Sequence, residues 1–428
     1  MDHCKYACGT AEHAVSRRSF LGAAAAGVTG VLGGFTAAAS ARDLAKAGKR
    51  VLTIFLSGGV SQLETWDPKP NTDTGGPFRA IPTSVPGIHI SELLPHTAKQ
   101  MTRMAIVRGV NTAEDEHGRG AVIMLTGRRT EPGIEYPHFG AVAAKLLGTG
   151  KAELPGHIQI HPGGGGSFNK QDAAFLGPRY ASVVVGDGKP PADLFRPAGL
   201  TTEADRQREE LRQKLNSRFA KSRRTAMTEA YAESYDQAAK VIARGDAFDV
   251  TKEDPKLADK YGRHDFGRHL LLARRLLEHG VTFVNVQHTN YDTHHENFDF
   301  HIEQLGEFDQ PFAALLDDLA DRGMLDSTLV VVMSEFGRTP RINHLYGRDH
   351  WSKAWSVALA GCGLKAGSVV GKTNANGTAV TDREVNGGHL FHTYLRAVGQ
   401  DPTKNFYPND RPVPIADPKA SAITEILA

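Results

Sequence analysis

The sequence predicts an α/β protein built on a mostly parallel sheet, and three observations predict it. Short apolar runs rich in β-branched residues recur at 51–56, 281–287 and 329–333, as strands covered on both faces do. The last two runs each follow an amphipathic helical stretch, so helix and strand alternate as crossover units require. Residues able to carry chemistry gather just after the strands, where open α/β sheets keep their sites.

The chain has 428 residues, enough for one large domain or two, and 40% of them are hydrophobic, as in an ordinary soluble globular protein. Fifty Lys and Arg against 48 Asp and Glu leave a formal charge of +2, which gives no case for a nucleic-acid partner. Ser16-Arg17-Arg18-Ser19-Phe20-Leu21 reads as a twin-arginine export motif, followed by a weakly apolar Ala/Gly run over 22–39. Ala39-Ser40-Ala41 fits the cleavage pattern. Residues 1–41 are therefore expected to be a leader and 42–428 a single mature domain, delivered to the periplasm or beyond. No later stretch is long and apolar enough to span a bilayer. Cys4 and Cys8 leave with the leader, and Cys362 in AGCGL reads as a small core residue.

Taken in order, VLTIFL at 51–56 is the first strand, opening into the glycine turn Ser57-Gly58-Gly59. A second strand at 104–107 leads to Asn111–His117 and a helix over 118–126 that stops at Gly127. Residues 155–197, with Gly163 to Gly166 in a row and many prolines, read as an irregular surface excursion. Residues 201–244 are charged, Ala-rich and helical in period, a helical insertion expected within about 197–260. GRHLLLARRLLEH at 267–279 is an amphipathic helix stopped by Gly280, and it feeds the strand at 281–287. A second helix over 297–322 precedes the strand at 329–333. Beyond these lie a strand at 357–360, a small antiparallel hairpin within 367–384 and a closing helix at 389–398.

Four loop clusters stand at strand ends: Ser57 to Asp67, Asp115 to His117, His288 to His295, and Glu335 to His350. In a parallel sheet those ends share one edge, so the clusters converge despite their separation. Asp292 and His294 flank one residue and turn a carboxylate and an imidazole toward one ion, and His350 completes three ligands with an open position. Such a set suits one divalent zinc, manganese or iron. If such an ion is bound, the economical chemistry is hydrolytic, with His117 or Glu335 moving the proton and Arg338 or Arg348 holding an anionic group.

The pieces FLSGGVSQLETWDPKP, EDEHGRGAVIMLTGRR, LLARRLLEHGVTFVNVQ, YDTHHENF, SEFGRTPRIN and GRDHW span nearly the whole mature chain. With the leader, they resemble the exported family known as domain of unknown function 1501, a distant branch of the alkaline phosphatase and sulfatase superfamily. The resemblance implies a three-layer sandwich around a mostly parallel sheet, with a small β-hairpin region near the carboxyl end. It implies a sulfate or phosphate ester as substrate, on a small molecule or a polysaccharide, with Arg119, Arg348 and Asp67 near it. It also implies an exported partner protein. His117 stands where a sulfatase carries its modified cysteine, and Phe336 stands where the superfamily keeps a histidine ligand, so the usual nucleophile and second metal are missing. The superfamily's longer spacing admits His295 as an alternative to His294. A binding or assembly protein that kept the fold without the chemistry is the competing implication.

Overall fold

Seven consecutive buried residues, RVLTIFL at Arg50–Leu56, form the first strand, β1. A strand with helices over both faces has no solvent side, so its sequence is continuously apolar and does not alternate. The computed structural model describes residues 48–149, 152–162, 172–186, 199–222 and 226–428; the leader and the Gly163 to Gly166 run lie outside the described residues. In chain order β1 is followed by β2 (Met104–Val110), β3 (His157–His161), β4 (Val183–Gly186), β5 (Phe283–His288), β6 (Thr328–Met333), β7 (Trp355–Gly361) and β8 (Ser368–Val370). The longer helices are α1 (His117–Thr126), α2 (Phe139–Leu147), α3 (Thr202–Ser222), α4 (Ala226–Ala243), α5 (Asp265–Glu278), α6 (Asn297–Asp321) and α7 (Gly387–Ala397).

Among the described residues the main strands form one eight-stranded sheet in the order β8-β2-β7-β6-β1-β5-β3-β4. Only β7 runs against its neighbours; every other pairing in the sheet is parallel. Successive side chains of β1 point to opposite faces. Leu52, Ile54 and Leu56 enter one core with Leu270 and Leu276 of α5 and Phe308 and Leu315 of α6. Val51 and Phe55 enter the other with Met124 of α1, Phe139 of α2 and Phe391 of α7. The result is the predicted three-layer α/β arrangement. The small hairpin is present as Lys372–Thr373 against Val380–Asp382. No helix among the described residues is long and apolar enough to cross a membrane. Cys362 is buried with its thiol free, and burial pushes that thiol up to about 11.

Residues 155–197 are not wholly an irregular surface excursion, because β3 and β4 lie within them and extend the sheet beyond β5. The segment HIQIH alternates: Ile158 and Ile160 enter a core, while His157, Gln159 and His161 are polar yet also buried. A strand whose second face is polar lacks the continuous apolar run that revealed β1, β5 and β6.

Candidate metal centre

Three adjacent parallel strands, β5, β1 and β6, open their carboxyl ends on one edge of the sheet. The chain leaves β1 through Gly58, at φ +117°, where an added Cβ would lie 2.4 Å from the backbone nitrogen of Asp292. Only glycine lets the loops after β1 and β5 approach this closely. The Gly58 N–H donates to Glu335 Oε1 at 2.9 Å, and Ser334 Oγ, just after β6, lies 2.6 Å from Leu56 O. The fully buried Arg338 guanidinium ties these loops together. Its Nε donates to Gly59 O at 2.9 Å, its Nη1 to Arg348 O at 2.9 Å, and its Nη2 to both Gly58 O and Asp292 Oδ1. A two-residue ribbon, Gly337–Arg338 against His350–Trp351, sets His350 beside Arg338.

Asp292, His294 and His350 meet at the centre. His294 Nε2 lies 3.0 Å from His350 Nε2 and 3.1 Å from Asp292 Oδ1, and His350 Nε2 lies 3.2 Å from the same oxygen. His117, the first residue of α1, stands alongside with Nε2 3.3 Å from Asp292 Oδ2. One ligand-type atom from each of His117, Asp292 and His350 falls within 4.8 Å of the others. Every imidazole has its Nδ1 engaged on the far side: His117 with Glu335 Oε1 at 2.7 Å, His294 with Asp349 Oδ1 at 2.8 Å, His350 with Asp115 O at 2.7 Å. A carbonyl only accepts, so His350 carries its proton on Nδ1 and turns the Nε2 lone pair inward. The carboxylate on His294 favours the same tautomer. Phe336 fills the remaining flank, its ring centre 4.4 Å from that of His350 and 4.9 Å from that of His117.

The charges follow from these contacts. Burial opposes ionisation of Asp292, but the Arg338 guanidinium outweighs it and holds the carboxyl down at about 2. The hydrogen bond to Glu335 raises the His117 imidazole above its ordinary value against the pull of burial. Burial lowers His350, which keeps it neutral. The hydrogen bond from His294 lowers Asp349.

The structure thus gathers Asp292, His294, His350, His117, Glu335 and Arg338. It does not bring His295 in: that side chain is exposed, and its Nδ1 is 4.0 Å from Glu296. Arg348 is fully buried, paired with Glu64 at 2.8 Å and donating to Pro340 O and Thr74 O, so it grips the protein and no ligand. Asp67 is likewise buried, held by Lys69 at 2.9 Å and by the Thr373 hydroxyl. Arg119 is exposed beside the centre, 3.1 Å from Glu114. Sequence reasoning assigned no role to Asp349 or the Asp115 carbonyl, the groups that orient two of the histidines. The adjacency of Asp349 to His350 within GRDHW was the available signal.

An α/β sheet with an Asp-His cluster of metal-ligand type at its carboxyl edge defines the class of protein. The chain belongs to the family described as protein of unknown function (DUF1501), whose model matches residues 48–427. No curated protein matches it. Among solved structures it is similar to the lipoteichoic acid synthase LtaP from Listeria monocytogenes, at TM-score 0.40 and 9% identity, covering 83% of this chain and 73% of that one. It is similar to the PsFucS1 sulfatase from Pseudoalteromonas sp., at TM-score 0.37 and 13% identity, covering 85% and 71%. A third is the C-terminal periplasmic domain of EcEptC from Escherichia coli in complex with Zn, at TM-score 0.39 and 9% identity, covering 83% and 85%.

Proposed function

We propose that this chain is an exported, metal-dependent hydrolase of sulfate or phosphate esters, using one divalent ion held by Asp292 Oδ1, His294 Nε2 and His350 Nε2. The carrying observation is the 3.0 Å approach of two Nε2 atoms whose Nδ1 atoms are both committed to acceptors. With both Nδ1 atoms protonated, the two Nε2 lone pairs and the Asp292 carboxylate would face one another, and a cation among them would turn that repulsion into coordination. Donors about 2.0–2.1 Å from a tetrahedral ion stand about 3.3 Å apart. The edges of 3.0, 3.1 and 3.2 Å fit one face of such a site and leave a vertex open. Zinc, manganese and iron all suit the donor set.

When bound, the ion supplies Lewis acidity and makes water nucleophilic near neutral pH. The remaining work falls to the chain. Glu335 fixes the His117 Nδ1 proton, so Nε2 faces the centre as proton acceptor, and Glu335 then stabilises the imidazolium that forms. Arg338, buried and paired with Asp292, holds that carboxylate in place. Arg119, exposed at the rim and paired there with Glu114, is the cation that would turn to an anionic group.

The burial of Arg338 and Arg348 favours a second reading, a binding or assembly protein, since neither guanidinium is free to grip sulfate or phosphate. A panel of aryl sulfates, phosphomonoesters and phosphodiesters, assayed with zinc or manganese added, separates the two. Hydrolysis that Asp292→Asn abolishes is the outcome expected here; full metal loading with no turnover of any ester supports the second reading.

A further inference from the structure

Helix α1 delivers His117 to the centre with its first residue and uses its next turns to wall a separate cavity of about 560 Å³. Val122 and Leu125 line it from the helix, and Ile134 and Tyr136 line it as well. The Tyr136 ring is held in place by the Arg128 guanidinium, 4.3 Å from its centre. Glu116 and Arg119 border both this cavity and the groove in front of His117 and His350, so the two spaces are neighbours on the same helix end.

The far lining is polar in a specific way. Asp172 is committed, accepting from Gln159 Nε2 at 3.1 Å and from the Ser182 N–H at 3.2 Å. The His138 ring makes no hydrogen bond among the described residues, and burial, lowering it to about 4, keeps it neutral with one N–H and one lone pair to offer. Leu125 and His138 also border a narrow slot that reaches Gln287, which is 6% exposed and whose Oε1 has no partner among the described residues. A neutral imidazole and an orphaned amide oxygen match a hydroxyl, which both donates and accepts. Asp172 disfavours an anion at that end.

We propose that this cavity binds the aromatic, hydroxyl-bearing body of the ester, leaving its anionic group at the mouth beside Arg119 and the metal centre. The volume suits such a ligand, as pockets for small molecules run from about 300 to 1,000 Å³. Apolar walls with a few convergent polar groups are the usual lining of such sites. The inference rests on the hydrolase reading for its reacting end only; the cavity's own chemistry selects the body.

The test is a fluorescence and calorimetric titration of the full chain with 2,6-dihydroxynaphthalene, with and without zinc. Saturable one-to-one binding is expected, at least tenfold weaker in Ile134→Trp, which fills the cavity from a surface loop, and in Val122→Trp, which fills it from the helix. Melting temperatures identify whichever variant is folded. Binding that persists without zinc keeps the cavity assignment even where the metal centre fails. Absence of saturable binding, or affinity unchanged in a folded variant, overturns the proposal.

Discussion

Glu64 and Arg348 are both fully buried, and their side chains meet at 2.8 Å across 284 positions of sequence. Removing one partner leaves the other charge buried and unpaired, which typically costs about 3–5 kcal/mol. Arg348→Met is therefore expected to lower unfolding stability by that amount in urea titration; a loss under about 1 kcal/mol would contradict the assignment. His301 makes a second residue-level prediction. Its Nδ1 donates to Asn297 O at 2.8 Å and its Nε2 accepts from the Ser61 N–H at 3.2 Å, so the ring is needed neutral. Burial lowers it from the ordinary 6.5 to about 4. The unfolded chain takes up this proton near 6.5 and the folded chain only near 4, so His301 makes stability fall as pH drops through that window, by up to about 1.4 kcal/mol per unit. His301→Gln is expected to flatten that part of the acid slope; an unchanged slope would count against it. At this scale the sequence was uneven. The approach of Asp292, His294 and His350 to one another was legible because all three lie in loops at the carboxyl edge of a parallel sheet. Arg338 and Arg348 were not separable from substrate-binding arginines, since a guanidinium's role depends on which distant carboxylate the fold brings to it.

The loops after β1, β5 and β6 carry the geometry of the centre, and glycines let them close. Gly58→Ala puts a Cβ 2.4 Å from the Asp292 backbone nitrogen and forces a side chain into φ +117°. We expect the fold to persist with a loss of about 1–3 kcal/mol, and metal affinity, measured calorimetrically, to fall at least tenfold as Asp292 moves. Unaltered affinity would show that the close approach of the two loops has no bearing on the centre. Gly347 has the same character, since a Cβ there would lie 1.9 Å from His294 O. The strands that bear these loops were readable from continuous apolar runs. β3 was not, because its second face buries histidines and a glutamine, and hydropathy alone does not reveal a polar face that packs inward.

For the whole molecule, the parallel direction of β1, β2, β5 and β6 explains how residues from 58 to 350 come to one edge. That convergence was legible from the position of the loop clusters after strands; that Arg348 and Asp67 are buried in ion pairs and His295 is turned outward required the packing. An ion that binds only the assembled edge stabilises the whole fold, by about 2.7 kcal/mol at a hundredfold excess over its dissociation constant. Chelator is accordingly expected to lower the melting temperature of the metal-loaded chain and to leave His350→Ala unaffected. The most direct test of the centre is metal content of the full chain purified without chelators and titrated with zinc, manganese and iron. One ion per chain, lost in both Asp292→Asn and His350→Ala, is the predicted result. No stoichiometric binding of any of the three, or undiminished binding in folded His350→Ala, would contradict the account.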